Sequence, residues 1–100
     1  MILVRMVFQA KFGKGGELAN EFKAGMKQIS EVYGNRAKAR LLTDLSGSFD
    51  TVIQEIEIAS LAEWERMRTE MFTRPEFQEG FAHTTALIEG GRSEYYTIES

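Results

Sequence analysis

The sequence has no cysteine, one histidine, one proline and no long apolar run, and each shortage removes a class of chemistry. Without cysteine there is no disulfide, no thiolate metal site and no cysteine nucleophile. A single histidine, His83, cannot build a multi-histidine cluster within one chain, so no metal is expected. Twelve Lys and Arg stand against 15 Asp and Glu, a net charge of -3, which offers no electrostatic footprint to nucleic acid or an anionic membrane. No stretch approaches the roughly 18 apolar residues of a membrane span. Residues 1–10 are apolar but lack the basic flank and cleavage site of a secretory leader, so a cytoplasmic protein is the expectation. With Pro75 the only proline and no linker-like segment, residues 1–100 read as one domain.

What is present favours a folded α+β chain, with 43% apolar and 11% aromatic residues. Residues 1–10 alternate, setting Ile2, Val4, Met6, Phe8 and Ala10 against Leu3, Arg5, Val7 and Gln9, the period of a strand. A turn at 13–16 precedes Leu18, Phe22, Met26, Ile29 and Tyr33, spaced as one helix face and stopped by Gly34-Asn35. Residues 36–45 alternate again, with Ala37, Ala39, Leu41 and Leu45 opposite Lys38, Arg40 and Asp44. Ser46-Gly47-Ser48 turns the chain into residues 49–58, where Val52, Gln54, Ile56 and Ile58 share a face and Ile53, Glu55 and Glu57 oppose them. Ser60 and Glu63 form a capping box for a helix whose buried stripe is Leu61, Trp64, Met67 and Met71. Pro75, capped by Thr73, restarts that helix with Phe77, Phe81, Thr84 and Ile88 along one side. Gly90-Gly91 ends it, and residues 93–99 form a last strand. The pattern predicts a ferredoxin-like βαββαβ fold: a four-stranded antiparallel sheet with helices on one face.

The sheet's other face is not polar enough to be bare. It mixes Leu3, Val7, Leu42 and Ile53 with Arg5, Gln9, Arg40, Glu55 and Glu57. Burying four such apolar side chains offers on the order of 6–10 kcal/mol before ordering costs, and a second copy related by a two-fold is the economical cover. Leu3, Arg5, Val7, Arg40, Leu42, Ile53 and Glu55 are therefore expected at a homodimer interface, with Arg5 and Arg40 paired to Glu55 or Glu57.

The first strand, the turn Lys11-Phe12-Gly13-Lys14-Gly15-Gly16, the stretch from Ile56 to Trp64, Arg74-Pro75-Glu76-Phe77 and the closing Tyr95-Tyr96-Thr97-Ile98-Glu99 together resemble the dimeric α+β barrel superfamily. The nearest branches in layout are the NIPSNAP-like and antibiotic-biosynthesis-monooxygenase-like ones. The resemblance implies a homodimer whose two sheets form a barrel, with a pocket between sheet and helices in each subunit. Haem-degrading relatives combine a first-strand asparagine, a helical tryptophan and a helical histidine. Here only Trp64 is retained and Phe81 takes the histidine's place, so no haem or other cofactor is expected.

Phe8, Gln54, Trp64 and Tyr96 are the expected ligand-binding residues, for a small apolar or aromatic molecule. Trp64 reads more readily as packing than as ligand contact, and Gln54 equally as an ordinary amide satisfied within the chain. His83, the one side chain that ordinarily titrates near neutrality, lies round the helix from the apolar side and is expected to face solvent. Gly13–Gly16 beside Lys11 and Lys14 opens a helix and reads either as a plain turn or as an anion cradle. Tyr33, Tyr95 and Tyr96 could donate to an oxygenated aromatic, or pack. An RNA-binding sheet is excluded for want of strand aromatics in a basic setting. Two functions remain: a pocket protein, extending to a cofactor-independent oxygenase or isomerase, and a non-catalytic binding or interaction protein.

Overall fold

The computed structural model describes residues 1–100. The chain runs β1 (Ile2–Ala10), α1 (Gly15–Tyr33), a 3-10 turn (Gly34–Arg36), β2 (Ala37–Thr43), β3 (Thr51–Ile58), α2 (Leu61–Phe72), α3 (Pro75–Thr85) and β4 (Ile88–Thr97). The strands form one sheet in the order β2-β3-β1-β4, every neighbouring pair antiparallel. All helices lie on the face bearing Val4, Ile56 and Ile58, which are at most 2% exposed. This is the expected ferredoxin-like α+β architecture.

The registers confirm the alternation. Val4 stands opposite Ile56 and Phe8 opposite Val52 on the helix side, while Arg5 stands opposite Glu55 and Val7 opposite Ile53 on the other. The helix-side core divides into two clusters. One gathers Val4, Ile29, Tyr33, Ala37, Ile56, Ile58, Trp64, Met67 and Met71; the other gathers Ala10, Leu18, Ala19, Val52 and Leu87. Helix α1 serves both, Ile29 and Tyr33 entering the first and Leu18 and Ala19 the second.

Several local expectations are corrected. Strand β2 ends at Thr43, because the Asp44 carboxylate accepts from the Thr51 amide and starts the loop early. Leu45 is thereby left in the loop and fully exposed. At α2 half the capping box forms: the Ser60 hydroxyl accepts from the Glu63 amide, but the Glu63 carboxylate pairs with Arg66 instead of reaching back. Leu61 is 53% exposed and drops out of the buried stripe. Thr73 does not cap α3. Its hydroxyl donates to the Glu70 carbonyl at the end of α2, and Arg74 holds the cap position in extended backbone. Phe81 is also exposed, and Ile88 belongs to β4.

Gly90 and Gly91 do not end a helix; they lie inside β4. A Cβ on Gly91 would sit 2.7 Å from the Val7 carbonyl oxygen, so a glycine there lets β4 approach β1 closely.

Candidate functional site

The glycine turn is not an anion cradle, because the chain fills it with its own anion. Asp50, in the loop between β2 and β3, accepts from the Gly13 amide at 2.8 Å and the Gly15 amide at 3.0 Å. No side chain of α1 itself caps the helix start. Asp50 does so from 35 residues away, placing its charge where free amides and the helix dipole favour it. It adopts φ 60° to reach, a left-handed conformation that asparagine and aspartate tolerate better than other non-glycine residues.

On the helix side the two clusters meet at a seam. The cross-strand row Leu41, Gln54, Met6, Ser93 runs along the boundary, Met6 and Leu41 packing against different clusters. Leu41, Gln54 and Met6 are half-buried and Ser93 is exposed, so this seam is only partly covered. Phe8 flanks it with its ring 4.8 Å from that of Phe22.

Trp64 belongs to the first cluster and is 6% exposed. Its indole Nε1 is the one buried side-chain polar atom without a hydrogen-bond partner. Leaving a buried N–H unpaired costs about 1–3 kcal/mol. The four expected ligand-binding residues therefore separate. Phe8 and Gln54 lie along the seam and Trp64 lies in the cluster bordering it, all on the helix side. Tyr96 pairs with Leu3 and so stands on the opposite face, where its hydroxyl donates to Glu94. The β4 register fixes this: it is Tyr95, opposite Val4, that shares the helix side. His83 is exposed as expected, and its Nε2 lies 3.9 Å from the Glu21 carboxylate on α1. Sequence reasoning missed the orphan indole N–H altogether, since only the three-dimensional surroundings of Trp64 reveal it.

The first cluster is tied by a polar contact between helices. The Tyr33 hydroxyl donates to the Glu70 carboxylate, and burial followed by this bond pushes the phenol pKa up to about 12.

The open face carries the expected ion pairs within one chain. Glu55 receives both Arg5 and Arg40, whereas Glu57 takes neither. Arg5 also reaches Glu94 at 2.8 Å, and Arg92 reaches the other Glu94 oxygen at 2.6 Å. Hydrogen bonds from Arg92 and then Arg5 hold the Glu94 carboxyl well below the usual range, at about 2. Val7 is only 7% exposed, screened by its neighbours, so less apolar area remains to be covered than four free side chains would offer. At one end of this face, Val7, Gln9, Thr51, Ile53, Gly91 and Arg92 line part of an open hollow of about 560 Å³. This hollow lies on the open face and not between sheet and helices.

No helix is long and apolar enough to cross a membrane, and no cluster of three or more His, Asp or Glu is placed to hold a metal ion. No family model matches the chain, and no curated protein does. Solved structures do. A NIPSNAP domain protein from Burkholderia xenovorans superposes with a TM-score of 0.84 at 17% identity, over 100% of this chain and 96% of that one. A NIPSNAP family protein from Agrobacterium tumefaciens gives 0.85 at 17% identity, over 99% and 93%. SnoaB, a cofactor-independent oxygenase from Streptomyces nogalater, gives 0.70 at 14% identity, over 99% and 93%. The chain has the fold that NIPSNAP proteins and this oxygenase share.

Proposed function

We propose that the protein is a homodimer that binds a small apolar or aromatic molecule carrying an acceptor oxygen, in the seam between sheet and helices. The observation that carries the reading is the buried, unpartnered Nε1–H of Trp64, in the cluster that borders the partly covered seam at Met6. A ligand oxygen accepting from that indole would recover the cost of the unpaired donor, while Phe8, Met6 and Phe22 supply apolar contact and Gln54 a second polar group. With His83 on the surface, Tyr96 on the other face and the Tyr33 hydroxyl committed to Glu70, the protein's part in this reading is to bind, orient and keep dry. A catalytic form of this reading, a cofactor-independent oxygenase or isomerase, finds support in the fold shared with SnoaB and leaves the reactive carbanion to the substrate. Homodimerisation through Leu3, Arg5, Val7, Arg40, Leu42, Ile53 and Glu55 is supported by the apolar content of the open face.

The test is a thermal-shift screen of hydroxylated aromatics, followed by emission of Trp64, the chain's one tryptophan. At ten times its Kd a ligand stabilises by about 1.4 kcal/mol, raising Tm by about 6–11 °C for a domain of this size. Emission should shift with the same midpoint, and Trp64→Phe should weaken binding. A panel without shifts, or binding unchanged by Trp64→Phe and silent in emission, refutes the reading.

A further inference from the structure

The open face presents its charges in an order that bears on how a second copy can sit. Across the sheet from β2 to β4, the registers align Arg40, Glu55, Arg5 and Glu94 in one row of alternating sign. The next row reads Leu42, Ile53, Val7, Arg92. The charges are held in place: Glu55 is 6% exposed between two arginines, and Glu94 is clamped by Arg5 and Arg92. A two-fold that stacks two such sheets must lie between them and parallel to both. Run along the strands, it reverses strand order and keeps each row at its own height. Arg40 then faces the partner's Glu94, Glu55 faces the partner's Arg5, and Ile53 faces the partner's Val7. Run along the row itself, it sets every charge against its own copy, four like-charge encounters in sequence.

We propose that this alternating row directs the two-fold along the strands, so that Arg40 and Glu94 select the pairing. The proposal rests on the homodimer reading and adds the orientation in which the row meets its own copy with opposite signs. Twist does not spoil the match. The row spans three strand spacings, about 14 Å, so its ends lie about 7 Å from the axis; a crossing of about 30° displaces them by about 4 Å, within reach of an arginine side chain. The residues differ in what they can bear: Arg40, 68% exposed at its side chain, can exchange its bond to Glu55 for a partner's carboxylate while Arg5 still pairs with Glu55.

Sedimentation equilibrium on charge reversals tests this. Arg40→Glu and Glu94→Arg alone should each dimerise about ten- to a hundred-fold more weakly than the unaltered chain, since attraction becomes repulsion at two symmetric places. Mixed in equal amounts they should recover to within about threefold, because the two replaced side chains face each other at one end and the native Arg40 and Glu94 at the other. A mixture no tighter than its components, or single variants as tight as the unaltered chain, overturns the row's role and leaves the dimer standing. A monomeric unaltered chain overturns both readings.

A second measurement avoids charge reversal. The chain has no cysteine, so Arg40→Cys and Glu94→Cys can be mixed and treated with a thiol crosslinker of about 8 Å, suited to sheets roughly 10 Å apart. Crosslinking in the mixture and in neither variant alone supports the proposal. Self-crosslinking of Arg40→Cys, or none in a dimeric mixture, overturns it.

Discussion

Replacing Asp50 with alanine removes one side chain from a loop and is expected to loosen the start of a helix 35 residues away in sequence. Two bonds disappear, to the Gly13 amide at 2.8 Å and the Gly15 amide at 3.0 Å. Hydrogen bonds to a charged group contribute roughly 1.5–3 kcal/mol, and losing a helix cap costs about 0.5–2 kcal/mol; partial exposure argues for the lower part of each range. Alanine must also hold φ 60°, with nothing to offset that strain. The expected loss is about 2–3 kcal/mol, or roughly 8–24 °C in Tm for a domain of this size. Asp50→Asn keeps one acceptor oxygen and should lose about 1 kcal/mol. Asp50→Gly loses both bonds but adopts the left-handed backbone freely, and should lie about 0.5–1 kcal/mol above the alanine variant. Urea denaturation of the four proteins gives the order directly. An alanine variant within about 0.5 kcal/mol of the unaltered chain, or a glycine variant below alanine, would refute the capping argument.

Gly91→Ala sets a methyl 2.7 Å from the Val7 carbonyl, and should cost about 1–3 kcal/mol by forcing β4 away from β1; an unchanged urea midpoint would show the strands have slack. In alkaline titration followed by phenolate absorbance, the step lost in Tyr33→Phe should be the one near pH 12. Because the folded phenol holds its proton more tightly than the ordinary 10.0, its stabilisation is complete below that pH and lost between about 10 and 12. Glu94 runs the other way: its carboxyl is depressed from 4.5 to about 2, so its contribution is present above pH 4.5 and fades toward pH 2. The urea midpoints of the unaltered chain and Glu94→Gln should therefore converge on acidification, and a constant gap would contradict the clamp. Ile53→Asp, placing a charge opposite Val7, should leave a folded monomer by light scattering; a persistent dimer would remove Ile53 from the interface.

The sheet and its faces were legible because period-two alternation fixes which side chains go together, and the face assignments over residues 2–9 and 52–58 hold in the register, although β3 begins only at Thr51 and leaves Phe49 and Asp50 in the loop. Strand ends were less so. Leu45 fits the apolar alternation of β2, but Asp44 reaches the Thr51 amide and closes the hairpin before it. Gly90-Gly91 reads as a helix stop, and only the 2.7 Å approach to Val7 shows why glycine suits the inside of a strand. Tyr95 and Tyr96 are adjacent, so only the pairing of β4 with β1 decides which of them faces the helices, and it puts Tyr96 on the opposite side of the sheet. The anion at the glycine turn was invisible locally, since Asp50 comes from a different hairpin. Trp64 could be placed on its buried stripe by spacing, but no spacing rule reports whether an indole N–H finds an acceptor.

The division of the helix side into two clusters also bears on mechanical softness. Each cluster is knit internally by buried contacts, whereas the row Leu41, Gln54, Met6 and Ser93 between them is only partly covered. A boundary so incompletely covered has fewer packing partners than either cluster, which makes it the part of the helix side expected to yield first under pressure. Helix α1 crosses that plane as a beam fastened at both ends. A molecule lodged in the seam would act less as cargo than as mortar, joining two half-cores into one and stiffening the beam that spans them.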